Sequence, residues 1–276
     1  MRYIDTHAHL NLAAFAADGA AVVQKCTDVQ VAVINIGTTQ ATSARAVALA
    51  DQYNDMFAIV GLHPIQTVGS DPDDADNEPA EMFTSDWYRT LAQHKKVVGI
   101  GECGFDYWHC APDTYAVQEA AFIAQIQLAN ELQLPLMIHT RGPKPGEASP
   151  TGRSVYTDVY EVLRQYATVP FNVHFYAGTY EEAKSFFEIG GTVSFTGVIT
   201  FAKMYEALVR DIPLDLMHAE TDCPYVAPVP YRGQRCEPWM VTAVYAQIAA
   251  IRTADPEVVR QQLLENAARL YKIPRA

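Results

Sequence analysis

Apolar residues recur along this chain in two alternating rhythms. Short runs rich in Val, Ile, Phe and Tyr are separated by longer stretches whose apolar positions repeat at helical spacing. The short runs predict strands at residues 3–9, 31–37, 57–63, 97–102, 135–139, 171–174, 192–196 and 216–222. Between them, residues 118–133 place Ala121, Phe122, Ile126, Ala129 and Leu132 on one helical face. Thr179 and Glu182 form a capping box ahead of a helix over 183–189, which Gly190 stops. Asp255 as cap and Pro256 at the first helical position open a last helix, with Val259, Leu263, Ala267 and Leu270 on its apolar face. These stripes are core and carry no chemistry.

Eight strands alternating with helices predict an α/β protein, a single (β/α)8 TIM barrel. Two stretches break the rhythm. Residues 69–81 are acidic and contain proline, and residues 142–152 read GPKPGEASPTG. Both directly follow a strand, so both are expected over the same face of the barrel. Neither an internal repeat nor a linker is visible, which makes 1–276 one expected domain.

A length of 276 residues suits one such barrel, and 49% hydrophobic residues supply a core that needs no disulfide. The five cysteines include no Cys-x-x-Cys pair, which argues against a zinc ribbon and suits a reducing cytoplasm. The opening residues lack the apolar run of a signal peptide, and no stretch reaches the roughly 20 apolar residues of a membrane span. The net charge of −12 argues against broad, nonspecific binding to nucleic acid and leaves room for a local basic site. Part of that charge is expected to be carboxylate that holds cations.

The chemistry is expected where the polar residues fall. His7 and His9 close the first predicted strand, His63 the third, Glu102 the fourth, His139 the fifth, His174 the sixth and Asp222 the eighth. The C-terminal ends of barrel strands converge on one rim, which brings residues distant in sequence into one pocket. Carboxylates and histidines gathered there make sense when cations bind between them, because a buried, unpartnered carboxylate costs several kcal/mol. Imidazole nitrogen and carboxylate oxygen suit zinc, manganese, magnesium or iron, and the donors are too many for one tetrahedral ion, so two divalent ions are expected. His7 and His9, two apart on a strand, point the same way and can grip one ion. Glu102 is expected to bridge metals rather than pair with Arg141. Asp222 is expected to be both ligand and proton acceptor, and Glu220 to orient a ligand. His63 either binds substrate phosphate or hydrogen-bonds its loop. Arg141 and Arg232 are candidates to hold phosphate bidentately. Tyr107 and Trp108 are candidates to stack on bases, and His109 to touch substrate. His94 reads as a solvated helix end, His218 as structural, and Cys103 and Cys223 as packing residues facing away from the site.

In order along the chain, Ile-Asp-Thr-His-Ala-His-Leu (4–10), Gly-Leu-His-Pro (61–64), Gly-Glu-Cys-Gly-Phe-Asp-Tyr (101–107), Ile-His-Thr-Arg (138–141), Val-His-Phe-Tyr-Ala-Gly (173–178), Glu-Thr-Asp-Cys-Pro-Tyr (220–225) and Tyr-Arg-Gly-Gln-Arg-Cys-Glu-Pro (231–238) resemble the TatD-type deoxyribonucleases of the amidohydrolase superfamily. The resemblance implies a two-metal barrel hydrolase acting on DNA phosphodiesters. It implies one ion held by His7, His9, Glu102 and Asp222, and a second by Glu102, His139 and His174. Three departures stand out: Cys236 where the family commonly has Asn, the extended 142–152 connection, and the acidic 69–81 segment. Single-stranded DNA is the implied partner. The alternative substrate class is a small-molecule ester, lactone, amide or phosphoester cleaved by the same metals. A non-catalytic barrel would lack a ligand position, and here every one is filled. No membrane contact and no obligate protein partner are expected.

Overall fold

A computed structural model of the chain describes residues 1–69 and 79–274. Eight parallel strands lie in sequence order: β1 (Tyr3–Ala8), β2 (Val31–Ile36), β3 (Met56–Val60), β4 (Val97–Asp106), β5 (Leu136–Arg141), β6 (Phe171–Val173), β7 (Gly191–Phe195) and β8 (Met217–Ala219). A parallel bridge from Ala8 to Cys223 returns the last connection to the first strand, so the sheet wraps into a (β/α)8 TIM barrel. Helices α1 (Gly19–Asp28), α2 (Gln40–Gln52), α3 (Ser85–Ala92), α4 (Tyr115–Leu132), α5 (Val155–Tyr166), α6 (Tyr180–Glu188), α7 (Glu206–Asp211), α8 (Val241–Arg252) and α9 (Pro256–Tyr271) connect the strands or follow the last one.

Alternation along the strands makes two apolar layers. Val31, Val33, Ala58, Val60, Ile138 and Val173 pack outward under the helices. Ala32, Ile34, Ile36, Phe57, Ile59 and Met137 face the other way, where Leu270, Tyr271 and Ile273 from the end of the chain join them. The capping box of Thr179 and Glu182 opens α6, and Asp255 caps α9 by accepting from the Glu257 N–H.

Register slips decide which side chains reach the rim. Ile4 belongs to the inner layer, so strict alternation would turn His7 outward. A slip between Asp5 and Ala8 reverses the parity, and Ala8 lies in the outer layer while His7 turns in. A second slip, between Ile100 and Cys103, does the same for Glu102. The glycines on either side of that carboxylate make it possible: Gly101 and Gly104 sit at φ +142° and +143°, where a side chain would be strained and would strike the β5 backbone. Cys103 and Cys223 pack in the outer layer, away from the site.

Several strand ends differ from expectation. β4 runs four residues past Glu102, to Asp106. β8 ends at Ala219, short of Glu220 and Asp222. Asp222 lies at φ +56°, a left-handed conformation that no strand accommodates. His63 lies beyond β3 and caps the turn at Pro64, its Nδ1 accepting the Ile65 N–H at 3.3 Å. The 142–152 connection is tied down by Asp158 of α5, which accepts from Thr151 at 2.6 Å and Tyr107 at 2.9 Å and pairs with Arg153 at 2.6 Å. Of the acidic 69–81 segment, residues 70–78 lie outside the described residues.

Candidate metal centre

The loops after the strands enclose a cavity of about 400 Å³, and Glu102 lines it. Its two carboxylate oxygens face different groups. Oε2 lies 3.2 Å from His7 Nε2 and 3.9 Å from His9 Nε2. Oε1 lies 2.7 Å from His174 Nε2, 2.8 Å from His139 Nδ1 and 3.4 Å from His63 Nε2. Burial would push the Glu102 carboxyl up, but His174, His7, His63 and His139 together hold it well below the usual range.

On the Oε2 side, His7 Nε2 and His9 Nε2 approach to 3.1 Å, and Asp222 Oδ1 lies 3.6 and 3.4 Å from them. The His9 ring is fixed from behind: its Nδ1 donates to the Ile36 carbonyl at 3.1 Å, which leaves the Nε2 lone pair aimed at the site. His7 stacks on His174 with ring centroids 3.9 Å apart. Burial, then the neighbouring His174, lowers the His7 pKa, which favours the neutral ring that a cation needs.

Carboxylates back the rings on the Oε1 side. Asp106 Oδ2 accepts from His139 Nε2 at 3.1 Å, and Glu220 Oε1 lies 3.6 Å from His174 Nδ1. Glu220 is itself held by the Phe175 N–H and the Ser194 hydroxyl, each at 2.6 Å. Burial works against charging both rings, yet the facing carboxylates raise His139 and carry His174 well above an ordinary imidazole.

The residues expected from sequence distribute as follows. His7, His9, Glu102, His139, His174 and Asp222 converge on one rim, and Glu220 stands behind His174. His63 turns one nitrogen to its loop and the other to the site, 3.1 Å from His139 Nδ1. Arg141 lines the cavity with its guanidinium 5.2 Å from the Trp108 ring, and it does not pair with Glu102. Arg232 is not brought into the cavity lining: it lies over Phe201, 4.1 Å from the ring centroid, and donates to the Ala227 carbonyl at 2.9 Å. His109 lines the cavity and bonds Asp106 at 3.0 Å. His94 sits 3.4 Å from Asp51, and His218 is buried against Thr192 at 3.1 Å.

Asp106 and Asp5 escaped the sequence reading. Asp106 lies in Gly-Glu-Cys-Gly-Phe-Asp-Tyr four residues after Glu102, on the same face of a strand that continues, which is the signal that could have found it. Asp5 is buried and ties β1 to the Asp222 loop, accepting from the Thr221 N–H at 2.9 Å and its hydroxyl at 2.5 Å. Its carboxyl is pushed well above the usual range by burial. Only the closing of the barrel brings Asp5 and Thr221 together.

The donor set fits divalent cations. Three trios lie with one donor atom each within 4.8 Å of one another: His7–His9–Asp222, His7–Glu102–His174 and His63–Glu102–His139. His7 Nε2 and His9 Nε2 lie 3.1 Å apart, and a cation held beside them would take a lone pair from each neutral ring.

A TIM barrel with such a cluster at its C-terminal strand ends defines a metal-dependent hydrolase. The pattern of the family described as TatD related DNase matches residues 4–272. The protein YabD of Bacillus subtilis (strain 168), named an uncharacterized metal-dependent hydrolase, is 32% identical over 275 residues, covering 98% of each chain. YcfH of Escherichia coli (strain K12), named in the same way, is 31% identical over 82% of this chain and 77% of its own. Among solved structures, the TatD homologue YjjV of Escherichia coli K12 superposes with a TM-score of 0.83 at 24% identity, covering 99% of both chains. This chain belongs to the TatD related DNase family.

Proposed function

We propose that this protein hydrolyses phosphodiester bonds of DNA, with two divalent ions held side by side at the barrel rim. The observation that carries the reading is the orientation of Glu102, which offers one oxygen to His7 and His9 and the other to His139 and His174. His7, His9, Asp222 and Glu102 would hold one ion; Glu102, His139 and His174 the other. The ions, when bound, supply Lewis acidity toward phosphoryl oxygen and make a water acidic enough to lose its proton near neutral pH. Asp222 is the proton acceptor: burial opposes its charge, but His9, His7 and His174 hold its pKa below the ordinary carboxylate value, so it is ionised before the reaction. Arg141 and His63, both in the cavity lining, would bind the phosphate. Arg232, outside that lining, is not assigned to the scissile group. Asp106 and Glu220 orient His139 and His174.

The test pairs metal analysis with a substrate panel. Purified protein loaded with zinc, manganese, magnesium or iron is expected to bind two ions per chain and to degrade single-stranded DNA with a free 3′ end. Asp222→Asn is expected to lower that rate by about 10²- to 10⁴-fold, the usual contribution of a general base. Turnover of small esters, lactones or phosphotriesters with none of DNA would overturn the assignment of substrate and leave a small-molecule hydrolase.

A further inference from the structure

Beside the cleft, two loops carry positive charge with no acidic residue among them. Residues 196–205, after β7, and residues 223–236, after β8, contain Lys203, Arg232 and Arg235 and no Asp or Glu, in a chain of net charge −12. Arg235 is already paired with Asp18 at 2.7 Å, and Glu206 begins the helix that follows the first loop. Lys203 and Arg232 remain exposed.

The two loops form one surface. The Val229 N–H donates to the Thr200 hydroxyl at 2.9 Å. Gly197 lies so close to the Val226 carbonyl that a side chain would not fit between them. Apolar side chains stand out on this surface: Phe201 is 42% exposed, Val229 46% and Met204 78%. The surface is continuous with the cleft, because Tyr225 and Val226 line the cavity from the same loop. Across the barrel a similar pair stands, with Arg141 at the end of β5 over Trp108 on the loop after β4. Strand four lies opposite strand eight in an eight-stranded barrel, so the two arginine–aromatic pairs stand on opposite sides of the cleft.

We infer that the Phe201–Arg232 surface holds single-stranded nucleic acid where it leaves the cleft, with a base on Phe201 and a phosphate on Arg232. This rests on the phosphodiester reading of the site. A flat ring offers stacking to unpaired bases of any sequence, and an arginine fixed on that ring keeps N–H groups for phosphate. The acidic remainder of the molecule restricts phosphate contact to such local cations. Duplex DNA would hide its base faces from Phe201, so single strands are the fitting ligand.

Binding and turnover test this separately. Fluorescently labelled oligothymidylates from 2 to about 12 nucleotides are titrated against the Asp222→Asn protein loaded with manganese, alone and combined with Phe201→Ala, Arg232→Gln or Arg232→Lys; melting curves check folding. Affinity is expected to rise with length. Phe201→Ala and Arg232→Gln are expected to weaken the longer oligomers by about tenfold while leaving the dinucleotide within about twofold. Arg232→Gln should also reduce the salt dependence of long-oligomer binding by about one phosphate. Arg232→Lys should keep that salt dependence and lose affinity through the missing stack. Equal losses for short and long oligomers, or no loss in either, would overturn the proposal. In turnover assays with otherwise wild-type protein, failure on every oligonucleotide would reject the DNase reading. Normal cleavage with no dependence on length would reject only this surface.

Discussion

The two sides of Glu102 are built differently. His7 and His9 are set by the main chain: a register slip turns both rings inward, the Ile36 carbonyl fixes one of them, and among the described residues no carboxylate is bonded to the far nitrogen of either ring. His139 donates to a carboxylate behind its ring, Asp106 at 3.1 Å, while Glu220 stands 3.6 Å behind His174, close enough for its charge to act but beyond a hydrogen bond. A ring fixed by backbone depends on the fold of its strand. A ring fixed by a carboxylate depends on one replaceable side chain, which also makes its nitrogen a better donor. The first side should therefore tolerate changes around it, and the second should be tunable.

Glu102→Gln breaks both sides at once and is expected to abolish activity and release metal from both, read by elemental analysis of the purified variant. Asp106→Asn should act on one side alone, lowering metal affinity by about 10- to 100-fold, with one ion per chain retained in a chelator titration. Loss of both ions in equal measure would erase the distinction. Glu220→Gln, at a longer distance from its ring, should fall near the lower end of that range. On the first side the matching change is Asn11→Ala, since Asn11 donates to the same Ile36 carbonyl that receives His9. It is expected to cost about 1–3 kcal/mol of stability by denaturant unfolding while metal affinity changes only a few-fold.

His218 belongs to neither side and serves as a control, because burial, followed by the charge of Arg269, lowers its pKa to about 3. Its unfolded value is about 6.5. The unfolded chain therefore takes up the proton first, so the stability His218 contributes is complete above that value and is lost as pH falls toward 3. The slope is about 1.4 kcal/mol per pH unit. His218→Gln should remove one proton's share of that slope between pH 6 and 4, leaving metal content at neutral pH unchanged.

Much of the fold was legible because burial writes itself into periodicity. All eight strands overlap the apolar runs that predicted them, and the capping box at Thr179 and Pro256 mark helix starts as expected. The residues of the site were legible because a polar residue at the end of an apolar strand has few structural uses. Strand ends were harder. Asp106 went unassigned because β4 continues past a kink that only its two glycines permit, and Asp222 stands in a left-handed turn rather than in a strand.

Arg232 shows where local sequence stops. Its motif fits phosphate binding, but the path of the β8 loop carries it onto Phe201, outside the cavity. Which residue types the rim contains was decided by the sequence alone, because chemistry resides in side chains and strand periodicity assigns them to ends. Which of them meet, which oxygen of Glu102 faces which ring, and that Asp5 clasps Thr221 216 positions away, were decided by closure of the barrel. Register and loop path depend on contacts between segments remote in the chain, and no local pattern encodes those.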